Sequence, residues 1–171
     1  FRFVLSLQIE HHVSLTKAID LPDDISKAPN PRAQRIDQGI YKDVTKSLED
    51  QDELNFHLKN KGITILAHRI EISSNKRDVV VHLGDADGIV DGGHTAEIIK
   101  ASKAAGTCPE QQVVKLEILT GIPAQMASDI NGGLNTSVQV DDASLMNLDR
   151  EFEWVKDADK NNTFKDQISY K

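Results

Sequence analysis

The chain has 171 residues, which suits one domain of ordinary size. Apolar residues make up 39% of it and its formal net charge is −7, so the chain as a whole has no electrostatic attraction to nucleic acid. No run of about 18 apolar residues is present, which predicts no membrane span and no membrane partner. The single cysteine, Cys108, excludes an internal disulfide and fits a reducing compartment, so we expect a cytoplasmic protein.

The chain opens with an alternating stretch and then becomes irregular. Apolar residues recur at every second position from Phe1 to Ile9, which predicts a strand with one buried face over residues 1–10. Three prolines in "LPDDISKAPNPR", residues 21–32, predict an irregular connector. Because the chain begins with a strand at Phe1, without a methionine or a signal peptide, we expect a segment of a longer protein.

Two helices and a hairpin are predicted next. Apolar residues at helical spacing in "DQGIYKDVTKSLED" predict a helix over residues 37–50. Residues 52–60, "DELNFHLKN", predict a second, short helix, which we expect Gly62 to end. Residues 63–72 are rich in β-branched side chains, and residues 78–83 follow a polar turn, so the two stretches predict an antiparallel hairpin.

A strand, a turn and a helix follow in "IVDGGHTAEIIKA", residues 89–101. The helix is expected to run from Thr95 to about Ala105 and to stop at Gly106. Its spacing predicts three inward-facing residues: Ile98, Ile99 and Ala101.

The last third predicts one more strand and two helices. Residues 112–119, "QVVKLEIL", alternate as a strand does, and Pro123 is expected to begin a helix through about Leu134. A last helix is predicted from Asp142 or Ser144. The predicted fold is therefore a mixed α+β domain, with a mixed sheet of about five strands and flanking helices. We expect an α/β domain over residues 1–141 and a C-terminal helix with a polar tail over residues 142–171.

The "DGGHT" turn places chemically useful groups where a buried strand becomes a helix. Gly92 and Gly93 let backbone N–H groups approach an anion, and the helix N-terminus adds a partial positive charge. His94 can donate to a phosphate or shuttle a proton, Thr95 can donate its hydroxyl or cap the helix, and Asp91 can hold a metal ion or a ribose hydroxyl. The alternative is a tight structural turn without a ligand.

Three further segments carry groups that bind phosphate. Asn60-Lys61 offers an amide and a cation at a strand entry, although Asn-Lys-Gly is also a common helix C-cap. In "NGGLNTS", Asn135 and Thr136 follow two glycines that each cost a helix about 1 kcal/mol against alanine, so a close approach or a glycine-rich loop is expected. The arginines of "NPRAQR", Arg32 above all, can hold a phosphate bidentately or lie on the surface.

Several other kinds of site are not predicted. His11 and His12 are adjacent on a strand and point to opposite faces, and no histidine pair has the spacing of zinc ligands on a helix. The sequence contains no G-x-S-x-G, no Walker lysine motif and no G-x-G-x-x-G. The pattern disfavours a zinc enzyme and a serine hydrolase.

The order of the segments is more specific than any one of them. "NPRAQR", "FHLKNKGITILA", "GIVDGGHTAEII", "VVKLEIL" and "DINGGLNTSVQVDDASL" follow one another as in the AIPR family, the abortive-infection phage-resistance proteins of prokaryotes. The stretches that carry this resemblance are residues 60–65, 89–95 and 135–137, and it extends over roughly residues 30–150. Members of that family are usually much longer, which agrees with the expected fragment.

The turn also resembles the D-G-Q-H-R turn of a group linked to DNA phosphorothioation. Both groups are similar to the ParB/sulfiredoxin fold, in which an N-P-R-like loop and a G-x-x-R-x-x-A turn bind a nucleotide phosphate. Thr95 stands where that turn has its arginine. The resemblance therefore implies a ParB-like domain in which backbone N–H groups, His94 and Arg32 would hold the phosphate.

These features together predict a phage-defence or restriction/modification-associated protein whose ParB-like cleft binds a nucleotide or a nucleic-acid phosphate. The cleft is expected to unite the 91–95 turn with three other segments: Asn60-Lys61, Arg32 and Asn135-Thr136.

Whether the cleft catalyses a reaction is left open. A reaction would be phosphoryl transfer or phosphodiester hydrolysis, with Asp91 on Mg²⁺, His94 as acid or base and a nucleoside triphosphate bound. The alternative is a non-catalytic regulatory or assembly module with a purely structural Gly-Gly turn, and a homo-oligomer is one state we expect.

Overall fold

The computed structural model describes residues 9–30, 39–75, 78–123 and 126–135. Its helices and strands are, in chain order, β1 (Glu10–Lys17), a 3-10 turn (Ala18–Asp20), α1 (Gly39–Glu49), α2 (Phe56–Lys59), β2 (Ile63–Ala67), β3 (Arg69–Ile72), β4 (Val79–His82), β5 (Gly88–Asp91), α3 (Gly93–Ala105), β6 (Val113–Thr120) and α4 (Ala127–Asn135). The predicted strand over residues 1–8, the boundary at 141 and the helix and tail beyond it lie outside the described residues. None of the helices that the structure describes is long and apolar enough to cross a membrane.

The main sheet has four strands in the order β1-β6-β2-β5. β6 pairs antiparallel with β1 and parallel with β2, and β2 pairs antiparallel with β5, so the sheet is mixed as predicted. About five strands were predicted for the mixed sheet; the described residues give it four, because β3 and β4 form a separate two-stranded sheet. The mixed α+β class is confirmed.

The predicted single strand over residues 63–72 is divided in two. All five residues of β2 are buried, because β2 lies between β5 and β6, whereas β3 is largely exposed. The division falls at His68, whose N–H donates to the carbonyl of His82 at 2.9 Å and begins the hairpin ladder. The antiparallel pairing of β3 with β4 confirms the predicted hairpin.

The hydrophobic core lies between one face of the sheet and the helices α1 and α3. Its α3 residues include Ile98 and Ile99, which are buried as predicted. Ala101 is exposed, so that prediction is wrong, and Ser102 takes the inward position three residues after Ile99. Gly106 ends α3 as predicted, in a left-handed conformation with its N–H on the carbonyls of the last turn.

Two predicted helix boundaries are wrong. α4 begins at Ala127, and Pro123 belongs to a preceding turn in which its carbonyl accepts the N–H of Met126 at 2.8 Å. α2 ends at Lys59 with an extended residue after it, so Gly62 does not end this helix.

The buried side chain of Gln112 joins the two helix ends that flank the α1–α2 connection. Gln112 is 0% exposed. Its Oε1 accepts the N–H of Phe56 at 3.3 Å, and its Nε2 donates to the carbonyl of Leu48 at 3.1 Å. A second carbonyl, that of Glu53, accepts from the same Nε2 at 3.4 Å. Groups at a helix end that lack an intrahelical partner are thus satisfied by one residue just before β6.

We expect Gln112→Met to lower the free energy of unfolding by about 2–4 kcal/mol, because each buried polar group left without a partner costs about 1–3 kcal/mol. Urea unfolding, monitored by circular dichroism, measures this free energy of unfolding. Gln111→Met is the matched control, since Gln111 is exposed and its change should stay within about 0.5 kcal/mol. Equal losses for the two variants would contradict the role of Gln112.

Candidate functional site

Two glycines bring the entry of β2 against the end of β5. Gly92 has a φ of 79° and Gly62 a φ of 92°, in the left-handed region that glycine occupies most readily. A Cβ on Gly92 would stand 2.2 Å from the carbonyl oxygen of Gly62 and 2.8 Å from the Cα of Ile63. The backbones therefore approach more closely than any side chain would allow.

Asn60 ties the same two segments together with its side chain. Its Oδ1 accepts the N–H of Gly62 at 2.8 Å and the hydroxyl of Thr95 at 3.2 Å. Thr95 is buried, and the N-cap of α3 is Gly92 without any side-chain cap, so the alternative of a threonine cap is wrong. The hydroxyl of Thr95 serves to fix Asn60 instead.

Asp91 and Lys61 form an ion pair beside this backbone contact. Asp91 Oδ1 accepts the N–H of Gly92 at 2.8 Å, and Asp91 Oδ2 lies 3.0 Å from Lys61 Nζ. The Asp91 side chain is 19% exposed and that of Lys61 is 62% exposed. The carboxylate is thus partly buried, whereas the ammonium group reaches solvent.

α4 and the loop before α1 meet at the same place. Lys61 Nζ also donates to the carbonyl of Leu134 at 3.4 Å, and α4 packs against β5. Asn131 Nδ2 donates to the carbonyl of Pro29, and Asn30 Nδ2 donates to the carbonyl of Val90 at 3.2 Å. The last turns of α4 and the start of the "NPRAQR" segment therefore both lie at the strand–helix junction.

Some predicted site residues fall outside this description. Arg32 and Thr136 lie outside the described residues, and Asn135 is the last residue of α4, described by its backbone alone. The structure brings together the 91–95 turn, Asn60-Lys61 and the end of α4. Among the described residues, a Cβ on Gly132 or Gly133 would meet nothing within 4 Å, so no close approach there accounts for the two glycines of α4.

His94 is held against α1 by an aromatic stack. Its ring lies 4.3 Å from that of Tyr41, measured between centroids, with an angle of 10° between the planes. The first turn of α3 contains no acidic side chain, so no carboxylate within that turn offsets the positive end of the helix dipole. A histidine fixed at that end is placed to donate to an anion.

A neighbouring lysine is already engaged further along α3. Lys27 pairs with Glu97, and burial lowers the pKa of Lys27, as does the nearby charge of Lys100. Lys61 is therefore the lysine whose described contacts lie at the turn itself.

The arrangement suits anion binding more directly than metal binding. It combines a helix N-terminus, a lysine, a histidine and a threonine hydroxyl around a glycine turn. Across the described ranges, no three histidine, cysteine, aspartate or glutamate side chains are grouped as metal ligands would be. A metal ion on Asp91 would compete with Lys61 for the same carboxylate.

Sequence reasoning missed three residues that position the site: Asn30, Tyr41 and Asn131. Asn30 and Asn131 are the first residues of the motifs "NPRAQR" and "NGGLNTS", but neither motif indicates their contacts. Tyr41 and Asn131 have partners, His94 and Pro29, that lie 53 and 102 residues away in the sequence.

One family model matches the chain. The model described as AIPR protein matches residues 28–171, a range that contains every residue of the site described above. No curated protein and no solved structure matches.

We expect Gly92→Ala to destabilise the fold far more than Gly106→Ala. Both glycines have a left-handed φ, but a Cβ on Gly106 would meet nothing within 4 Å. Gly106→Ala should therefore cost about 1–2 kcal/mol, the left-handed penalty alone. Gly92→Ala should exceed it by about 1–3 kcal/mol, because its Cβ overlaps the Gly62 carbonyl. Chemical denaturation of both variants measures the difference, and equal losses would refute the close approach.

Proposed function

The chain belongs to the AIPR family, which is associated with abortive-infection phage defence, and we propose that its own contribution is a cleft that binds phosphate. The ligand is a nucleotide or a nucleic-acid phosphate, and the cleft is the junction of the 91–95 turn with Asn60-Lys61 and the end of α4. Kinship with ParB-like domains and a cytoplasmic location are part of the same proposal.

The observation that carries the proposal is the ion pair of Lys61 with Asp91 at the N-terminus of α3. The Lys61 side chain is 62% exposed, so its ammonium group can leave Asp91 for an incoming anion without opening the core. Lysine binds phosphate as a compact, mobile charge on a flexible stem. Asp91 keeps Lys61 at the turn while no ligand is bound.

The other groups of the turn would complete the phosphate contacts. The backbone N–H of Gly93 and the positive end of α3 attract the anion, and Gly92, whose N–H donates to Asp91, shapes the turn. His94, whose ring Tyr41 orients, donates a hydrogen bond. Arg32, Asn135 and Thr136 are the further residues that we propose around the phosphate, and Thr95 acts by fixing Asn60.

Binding without turnover is the form of the proposal that the geometry favours. Both carboxylate oxygens of Asp91 are engaged within the chain, one by Gly92 and one by Lys61. Mg²⁺ at Asp91 would have to displace the lysine at 3.0 Å. A Mg²⁺-dependent phosphoryl transfer or phosphodiester hydrolysis, with Asp91 on the metal and His94 as acid or base, is the competing form.

The two forms differ in the expected behaviour of Asp91→Asn. Under simple binding, the substitution removes a negative charge and releases Lys61, so it should tighten binding of tripolyphosphate or nucleotides. Under metal-dependent catalysis, Asp91→Asn should abolish the reaction, and it should also abolish the effect of Mg²⁺ on ligand binding. Thermal unfolding with ATP, CTP, GTP, short DNA or short RNA, each with and without Mg²⁺, separates them. Ligand at about 100 times its dissociation constant stabilises by about 2.7 kcal/mol, an easily measured shift.

Lys61→Gln should weaken the binding of the same ligands about tenfold, since a hydrogen bond to a charged group is worth about 1.5 kcal/mol. Lys100→Gln is the matched control, because it makes the same change of charge at an exposed position of α3 away from the turn. Titration calorimetry gives the dissociation constants. Equal weakening by both variants would assign the effect to net charge and would argue against the cleft.

A further inference from the structure

We infer that a cavity between α1 and α2 receives the nucleoside part of a nucleotide whose phosphates lie at the 91–95 turn. The inference rests on the proposed function and narrows its ligand from any phosphate to a mononucleotide.

The cavity has the size and lining of a small-molecule site. Its volume is about 300 Å³, at the lower end of the range for ligand pockets. Val44 and Phe56 supply apolar surface, and polar groups surround them. Among the described residues, the cavity is lined by Asp43, Val44, Ser47, Phe56, Lys59 and Asn60.

Two contacts place the cavity beside the first turn of α3. Asn60 lines the cavity and accepts the hydroxyl of Thr95 at 3.2 Å. On α1, Tyr41 stacks on His94, and Val44, which lines the cavity, lies about one helical turn after Tyr41. One contact from α1 and one from Asn60 thus connect the surroundings of the cavity to the first turn of α3.

The charges of the cavity suit a neutral group. Lys59 Nζ lies 2.6 Å from Glu53 Oε2, and this hydrogen bond lowers the pKa of the Glu53 carboxyl, as one from Asn55 also does. The positive charge of Lys59 is therefore balanced by the carboxylate of Glu53. Asp43 adds a further carboxylate to the lining. A second phosphate would be repelled here, whereas a sugar hydroxyl or a base amino group can donate to Asp43.

Two polar groups remain for a ligand. Both side-chain hydrogen bonds of Asn60 use its Oδ1, so within the described residues its Nδ2 amide remains a donor. Ser47 Oγ is buried and has no hydrogen-bond partner. Rotation about the Cα–Cβ bond of serine reorients its hydroxyl toward a group that enters the cavity.

These features favour a mononucleotide over a nucleic-acid strand. A strand that enters the cavity would carry further phosphates past Asp43, which repels them. A mononucleotide has charge at one end alone and can place its neutral end between α1 and α2.

The test compares the dissociation constants of nucleoside triphosphates (ATP, CTP and GTP) with that of inorganic tripolyphosphate. We expect the best nucleotide to bind about tenfold or more tightly than tripolyphosphate, since the nucleoside adds buried contacts. Val44→Trp fills the cavity. It should reduce the ratio of the tripolyphosphate dissociation constant to that of the best nucleotide to about one, without changing the dissociation constant of tripolyphosphate. Lys46→Trp, on the same helix but outside the cavity lining, should leave the ratio unchanged.

A second variant covers the case in which Val44→Trp does not fold. Asp43→Asn is isosteric and exposed, and it should lower the ratio because the amide is a weaker acceptor for the sugar or base. A wild-type ratio of one, or a ratio that both cavity variants preserve, would overturn the inference. Tighter binding of short DNA than of any mononucleotide would also overturn it.

The proposed function and this inference fail in different ways. If tripolyphosphate does not bind at all, the phosphate site is wrong, and adenosine, cytidine and guanosine then test the cavity alone. Thermal stabilisation by one of these nucleosides, lost in Val44→Trp and kept in Lys46→Trp, would support the cavity without the phosphate site. The absence of any nucleoside effect would refute it.

Discussion

The close contact between the backbones of Gly62 and Gly92 is the constraint on which the rest of the site depends. A Cβ at position 92 would stand 2.2 Å from the Gly62 carbonyl, so this approach requires glycine at position 92, while glycine at position 62 leaves room for Lys115. It sets the entry of β2 beside the exit of β5. Asn60 and Lys61 are thereby delivered to the first turn of α3, where Asn60 meets Thr95 and Lys61 meets Asp91. The polar contacts follow from a purely steric condition.

The sequence predicted the parts of this site better than their assembly. Local backbone requirements leave local signals, and the glycine turn, the helix it opens and the glycine that closes that helix at 106 were all visible. Interactions between distant residues leave no local signal: that Lys61 would lie near the turn was expected from the family resemblance, but its ion pair with Asp91, thirty positions later, was not predicted. The division of residues 63–72 between two sheets was missed for the same reason. β-branched side chains favour a strand, but they do not determine which sheet the strand joins. Ala101 was predicted to face inward with Ile98 and Ile99, whereas the structure buries the polar Ser102 and leaves Ala101 exposed.

Asp91 is the residue at which the alternatives for this family member diverge. A carboxylate beside a glycine turn suggests a metal ligand, yet here it accepts a backbone N–H and pairs with a lysine of the same chain. An internal cation so close to the carboxylate weakens the electrostatic attraction for an external one. The pair as a whole is neutral, and it keeps the ammonium group of Lys61 beside the helix N-terminus, where an anion is already favoured. Membership of the AIPR family gives the biological setting. The chemistry of the turn depends on whether Lys61 pairs with the Asp91 carboxylate or with the phosphate of a ligand.

Gln112 has a consequence for the order in which the molecule is built. Its side chain satisfies helix-end groups that precede it by 56 and 64 residues, among them the N–H of Phe56 and the carbonyl of Leu48. During synthesis these groups therefore emerge long before their partner does. Until the chain has grown to the start of β6, the hydrogen bonds of Gln112 to the end of α1 and the start of α2 cannot form. A nascent chain that ends before Gln112 therefore lacks the contacts that fix α1 and α2, the helices beside the cavity. The hydrogen bonds of Gln112 to both helix ends therefore require the chain to close a loop of more than 50 residues, whose entropic cost grows slowly with loop length.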